Sequence, residues 1–136
     1  MSYGVSAALQ TSIYKRLTSD PAVATLIGDA VYDAVPPGTP AGTFVLLGPE
    51  EVTDKSDASG QGAEHQIRIS VVSAAAGFAQ AKQVAGAVSD ALLGAPLALD
   101  RGRVVGVWFQ KASAAKPAGG GSARRIDLSF RVRVED

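Results

Sequence analysis

The sequence predicts an α+β fold, an antiparallel-rich sheet of about four to five strands with two helices packed on one face. Three observations carry this. Near the C-terminus Ile126, Leu128, Phe130, Val132 and Val134 alternate with Arg125, Asp127, Ser129, Arg131 and Arg133, a period of two that gives one buried and one polar face. Phe78, Ala81, Val84, Ala85, Val88 and Leu92 fall on one helical stripe, and Leu9, Ile13, Tyr14 and Leu17 recur at helical spacing. The resulting order is helix, strands, helix, strands, and a sheet with one polar face needs helices only on the other. Residues 1–136 are long enough for a single domain with one core, and 46% of them are hydrophobic.

The elements follow in chain order. Ser6 can cap the first helix, which should run to about Leu17. Asp20-Pro21 reads as an N-cap followed by Pro in the first turn, opening a short helical segment through Leu26 that Gly28 ends. Val31-Tyr32 is a brief strand before Pro36-Pro37-Gly38-Thr39-Pro40, which fits neither a helix nor a central strand. Thr43 to about Val52 is a strand in which Pro49 implies an edge position or a bulge. The polar stretch Thr53–Ala63 is a loop of about eleven residues, and His65–Ser73 is a clear alternating strand. Gly77 introduces the second helix, which Gly94 and Pro96 stop. Leu97–Leu99 and Val104–Phe109 read as two strands joined by a turn at Asp100-Arg101-Gly102, and Lys111–Ala123, with Gly119-Gly120-Gly121, reads as a mobile connection to the last strand.

Composition removes whole classes of function. With no cysteine there is no disulfide framework, thiolate metal site or Cys nucleophile. No run of about eighteen apolar residues is present, and Met1-Ser2-Tyr3-Gly4 lacks the basic-then-apolar pattern of a signal peptide, so the expectation is a soluble protein made in the cytoplasm. Thirteen basic residues balance thirteen acidic ones, yet the balance is uneven along the chain. Residues 1–100 carry five Lys/Arg against ten Asp/Glu, whereas residues 101–136 carry eight against three. Such a split suits a subunit with two electrically different surfaces that assembles head to tail.

No catalytic set can be read from the residues. His65 is the only histidine and starts a strand, where an ordinary surface or edge position is expected. Glu50 and Glu51 are neighbours on a strand, which sends their side chains to opposite faces and rules out a glycosidase-like pair. Asp54-Lys55-Ser56-Asp57-Ala58-Ser59-Gly60 has the look of a calcium loop, but Ala58 and Ser59 stand where a ligand and the turn glycine belong. Gly60-Gln61-Gly62 leads into a strand, and Gly119-Gly120-Gly121-Ser122 lacks the Gly-Lys-Ser/Thr ending of a phosphate loop. No Gly-x-Ser-x-Gly elbow occurs. The expectation is therefore a non-enzyme without metal or cofactor.

The residues do resemble a known family. Ser2-Tyr3-Gly4-Val5-Ser6-Ala7-Ala8-Leu9-Gln10, Leu26-Ile27-Gly28-Asp29-Ala30-Val31-Tyr32 with Pro36-Pro37, His65–Val72, Val88-Ser89-Asp90-Ala91-Leu92 and Arg124-Arg125-Ile126-Asp127-Leu128 resemble the tail-terminator, or tail-completion, proteins of long-tailed bacteriophages. The likeness is greatest to the versions in gene transfer agents, which are phage-like particles. It implies a homo-oligomer, a hexameric ring at the top of the tail tube, that stops tube polymerisation. Its implied partners are the tail tube protein and a head-side connector or stopper protein, with transient, non-specific contact to DNA in the channel and none to a membrane. Assembly would take place in the bacterial cytoplasm. The family has no site motif from which individual residues could be carried over.

Loops and charge supply the candidate contact residues. Asp54, Lys55, Asp57, Gly60 and Gly62 form a candidate subunit-contact loop, expected to be mobile until a neighbour orders it. Lys111, Lys116, Arg124 and Arg125, with Arg131 and Arg133 nearby, are candidates either to face DNA phosphates or to dock on an acidic protein surface. Two other readings stay open: another tail or connector subunit, such as a tube protein or stopper, and a small cytoplasmic domain with a ligand pocket between helix and sheet.

Overall fold

The C-terminal strand with its strict alternation lies inside the sheet and organises it. The computed structural model describes residues 3–34, 42–75, 77–115 and 123–136. Among these the elements are α1 (Ser6–Ser19), α2 (Pro21–Ile27), β1 (Val31–Tyr32), β2 (Thr43–Asp54), β3 (Gly62–Ser73), α3 (Ala79–Leu93), β4 (Arg103–Ala115) and β5 (Arg124–Glu135). The strands form one sheet in the order β1-β2-β3-β5-β4. Only the short β1–β2 pairing is parallel; every other pairing is antiparallel.

Ile126, Leu128, Phe130, Val132 and Val134 of β5 are buried beside Ile67, Ile69 and Val71 of β3. Against this face α3 lays Ala81, Val84, Ala85, Val88 and Leu92, while α1 contributes Leu9, Ile13 and Leu17. The stripe read from the sequence of each helix is thus its buried face. Asp20 caps α2 by accepting from the Val23 N–H at 3.1 Å, Pro21 follows it, and Gly28 closes the helix with φ of 63°.

The structure corrects four boundaries. Ser6 is not the cap of α1. Val5 occupies that position with helical angles, and the Ser6 hydroxyl instead donates to Glu50. The expected long loop after β2 is shorter, because Thr53↔Glu64 and Asp54↔Ala63 extend the ladder. Leu97–Leu99 is not a strand: the carbonyls of Ala95 and Pro96 just before it accept from the Arg16 guanidinium of α1, and Leu97 is buried in the core. Finally, Lys111–Ala115 continues β4, since pairing with Arg125–Ser129 of β5 outweighs the weak strand preference of its Ala and Lys residues. Residues 36–40 and 119–122 lie outside the described residues.

Pro49 sits at a bulge. The register with β3 shifts between Leu47 and Glu50, so one extra residue is accommodated there. Leu47 faces the core opposite Ile69; without the bulge Pro49 would be the next core-facing residue, and with it Glu50 is. The bulge therefore turns Glu50 inward and Glu51 outward.

Candidate functional site

The candidate contact loop joins β2 to β3 and is a hydrogen-bonded turn. Lys55 N–H donates to the Gly62 carbonyl at 2.8 Å, and Asp57 and Gly60 pair across the tip. The Asp57 carboxylate accepts from the Ser59 hydroxyl at 2.7 Å, the Ser59 N–H at 2.8 Å and the Gly60 N–H at 3.1 Å. The Ser59 hydroxyl and N–H hold this carboxyl below the usual range. Asp54 accepts from the Ser56 hydroxyl at 2.7 Å, which lowers its pKa likewise. In the structure this loop is an Asx-type turn, with the Asp54 and Asp57 carboxylates bonded to Ser56, Ser59 and Gly60 within it.

The basic candidates do not form one cluster. Lys111 and Arg125 project from the sheet face away from the helices, where they stand opposite Ser129 and Val72 respectively. Arg124 projects to the helix side and places its guanidinium 5.5 Å from the centre of the Phe78 ring. Lys116 lies outside the described residues. Arg125 is tied down: its Nε donates to Asp127 Oδ1 at 2.9 Å and its Nη2 to the Ser70 hydroxyl at 3.0 Å, while Ser70 donates to the same Asp127 oxygen at 2.6 Å. Burial pushes the Asp127 carboxyl up, but Ser70 and Arg125 outweigh it and leave the group below its usual range. Along the same face Arg131 stacks 4.7 Å over Trp108, and Arg133 donates to the Lys55 carbonyl at 3.0 Å.

A cluster missed by sequence reasoning lies under the bulge. His65 is fully buried rather than a surface residue, and its Nδ1 lies 2.9 Å from Glu50 Oε2. The other carboxylate oxygen accepts from the Tyr3 hydroxyl at 2.6 Å and the Ser6 hydroxyl at 2.7 Å. Ser, His and Glu here do not make a nucleophilic triad. Ser6 bonds the carboxylate and not the imidazole, and His65 Nε2 is buried without a hydrogen-bond partner. The only signal available beforehand was Pro49, which marked the bulge that turns Glu50 inward.

Among the described residues no three His, Asp or Glu side chains converge as a metal-binding group. Between α1 and the sheet lie a small cavity of about 40 Å³, lined by Leu9, Ile13, Leu47 and Ile69, and an open groove of about 580 Å³, lined by Gln10, Tyr14, Tyr32 and Leu47 among others. The surface also offers extended features: a polar sheet face, a hydrogen-bonded hairpin tip and a strand, β4, whose Val105, Trp108 and Phe109 are exposed. These are features for contacting macromolecules over an area.

Comparison with known proteins agrees. The family described as tail completion protein gp17 matches residues 11–135. The chain belongs to this tail-completion family. Among solved structures it is similar to a chain of the virion of a native gene transfer agent particle, with 57% identity and a TM-score of 0.92, over 99% of this chain and 100% of that one. No curated protein sequence matches it. As a tail-completion protein it is a tail structural protein, of the gene transfer agent type.

Proposed function

We propose that this tail-completion protein forms a closed, hexameric ring that ends tail-tube polymerisation and joins the tail to the head-side connector or stopper, with DNA passing through. The observation that carries the reading is full-length similarity, at 57% identity, to a chain of a gene transfer agent virion. The geometry supports it through broad polar and apolar surfaces and a charge split along the chain. A ring needs a heterologous contact, one patch meeting a different patch on the next copy, and unlike surfaces on one subunit supply it. In this reading the protein works without catalysis or cofactor, and is assembled into its particle in the bacterial cytoplasm.

Of the basic candidates, Arg125 is held in a network of fixed hydrogen bonds and suits docking against protein better than sliding contact with phosphates. Lys111, outside any such network among the described residues, and Lys116 are the candidates to face DNA.

Images of particles from producing cells lacking this chain test the proposal. Tails of irregular length, or heads without tails, are expected, with one ring of the protein per normal particle. Joined tails of normal length in its absence would overturn it, and copies stacked along the whole tail would make it a tube subunit.

A further inference from the structure

The sheet ends in two unlike open edges. On one side β1 pairs only with Val45 and Leu46, so among the described residues no strand covers β2 from Pro49 to Asp54. On the other side β4 pairs with β5 alone among the described residues, leaving its outer edge open from Arg103 to Ala115. A long open edge is a template for pairing with another chain. The two edges are complementary in charge. Glu50 turns inward to His65 and Arg103 pairs with Glu135, so the outward-facing charges that differ between the edges are Glu51 on β2 and Lys111 on β4.

The apolar content of β4 points the same way. Val105, Trp108 and Phe109 are each more than 40% exposed, an uncommon concentration on one strand. Phe109, Ala112 and Ala114 also line an open, mainly apolar groove of about 300 Å³ against Ala85 of α3. The register of β4 with β5 shifts between Val104 and Gly106 and again between Phe109 and Lys111; beyond that Lys111–Ala115 pairs without a break, and Ala112–Ala115 carries small side chains, so a neighbouring backbone can come close.

We infer that the β4 edge of one subunit pairs with the Pro49–Asp54 edge of β2 in a second copy, making the sheet continuous between neighbours. Strand direction fits. Three successive antiparallel pairings separate β2 from β4, so the two run in opposite directions within a subunit. A rotation about an axis along the strands preserves those directions and brings β4 beside the next β2 as an antiparallel pair, the stronger ladder. The contact is heterologous and repeats until it closes. Lys111 then meets the Glu51 carboxylate side of the neighbour. The inference rests on the ring reading and names the surface that builds it.

Cysteine cross-linking in assembled particles tests it against a clean background, since the chain has no cysteine. Thr53 and the residues Lys111, Ser113 and Ala115 all project from the sheet face away from the helices. Thr53→Cys is combined in turn with Lys111→Cys, Ser113→Cys and Ala115→Cys, which together span the available registers. At least one pair should give a disulfide-linked ladder of subunits under mild oxidation, while each single variant gives none. Dimers from Ser113→Cys alone would mean β4 pairs with β4, and would overturn the inference. Rings seen by imaging without any Thr53 cross-link would overturn it while leaving the ring reading intact; particles with no ring would remove both. Independently, Lys111→Glu and Glu51→Lys should each weaken ring assembly by about tenfold, and the double variant should restore it.

Discussion

Glu50 Oε2 and His65 Nδ1 meet at 2.9 Å, joining the bulge in β2 to a fully buried imidazole on β3. Their backbones are neighbours on a diagonal, since Glu50 stands opposite Ile67 and His65 opposite Val52. The contact exists because the extra residue at the bulge brings an acidic side chain to the core face. Tyr3 and Ser6 both donate to the other oxygen, Oε1, and tie the start of α1 to the sheet.

This arrangement predicts an acid-sensitive fold. Burial pushes the Glu50 carboxyl up, but the hydrogen bonds from Tyr3, His65 and Ser6 and the charge of His65 overcome it and lower the pKa below the ordinary 4.5. A carboxyl depressed in the folded state contributes stability that is fully present above its unfolded value and drains away as pH falls through the folded one. Glu50→Gln should therefore cost about 1–3 kcal/mol near neutrality through its mismatched partners, and should flatten the acid limb below the carboxylate range. Urea unfolding of both proteins across pH 3–7 (on the order of five points) measures the two effects together.

Arg16 is the second long-range tie. Its guanidinium donates to the carbonyls of Ala91 and Ala95 from one nitrogen and of Pro96 from the other, each at 2.9 Å. Ala91 lies in the last turn of α3, whose carbonyls need donors, and Ala95 and Pro96 follow its end, so the cation also complements the helix dipole. Arg16→Ala should destabilise the protein by about 1–2 kcal/mol. Arg16→Lys should recover only part of it, because one ammonium cannot span three carbonyls in the fork geometry. Denaturation midpoints at unchanged m-value decide this.

Two glycines should respond in opposite senses to alanine. Gly102 has φ of 70°, and an added Cβ would lie 2.5 Å from the Glu135 carbonyl oxygen, so Gly102→Ala should cost about 1–3 kcal/mol. Gly86 is exposed within α3, where a Cβ meets nothing within 4 Å. Gly86→Ala should stabilise by about 0.5–1 kcal/mol. Thermal unfolding should order the three proteins Gly86→Ala, parent, Gly102→Ala from most to least stable.

What could be read beforehand was local in origin. The alternation of β5, the stripe of α3, the Asp20-Pro21 cap and the Gly28 stop each depend on residues within a few positions of one another. Lys111–Ala115 could not be recognised as strand, because its conformation comes from β5 and not from its own residues. His65 looked like an edge residue since its partner lies fifteen positions away, across a bulge whose effect on facing cannot be read from composition. The Arg16 contacts span up to eighty positions. For the contact loop, its location was legible, whereas its turn geometry depends on which hydrogen bonds Asp57 and Ser59 choose.

The last prediction separates two basic residues that the sequence places in the same class. Lys111 and Arg125 share a sheet face, yet only Arg125 is built into its surroundings, through Asp127 and Ser70. The Arg125–Asp127 pair is about one-third exposed at each partner, so screening limits what the charge itself contributes. The shared Ser70 hydroxyl is fully buried as part of its residue and adds hydrogen bonds that water does not readily replace. Arg125→Glu would set a second carboxylate against Asp127, and should cost about 1–2 kcal/mol in the isolated subunit. Lys111→Glu, at an exposed edge position, should stay within about 0.5 kcal/mol of the parent. Urea unfolding of the isolated variants measures this before any particle is made. If the two substitutions cost the same, the network around Asp127 contributes nothing. If they differ as expected, a failure of tails to complete with Lys111→Glu reports on contact with a neighbour, whereas the same failure with Arg125→Glu must first be corrected for lost stability.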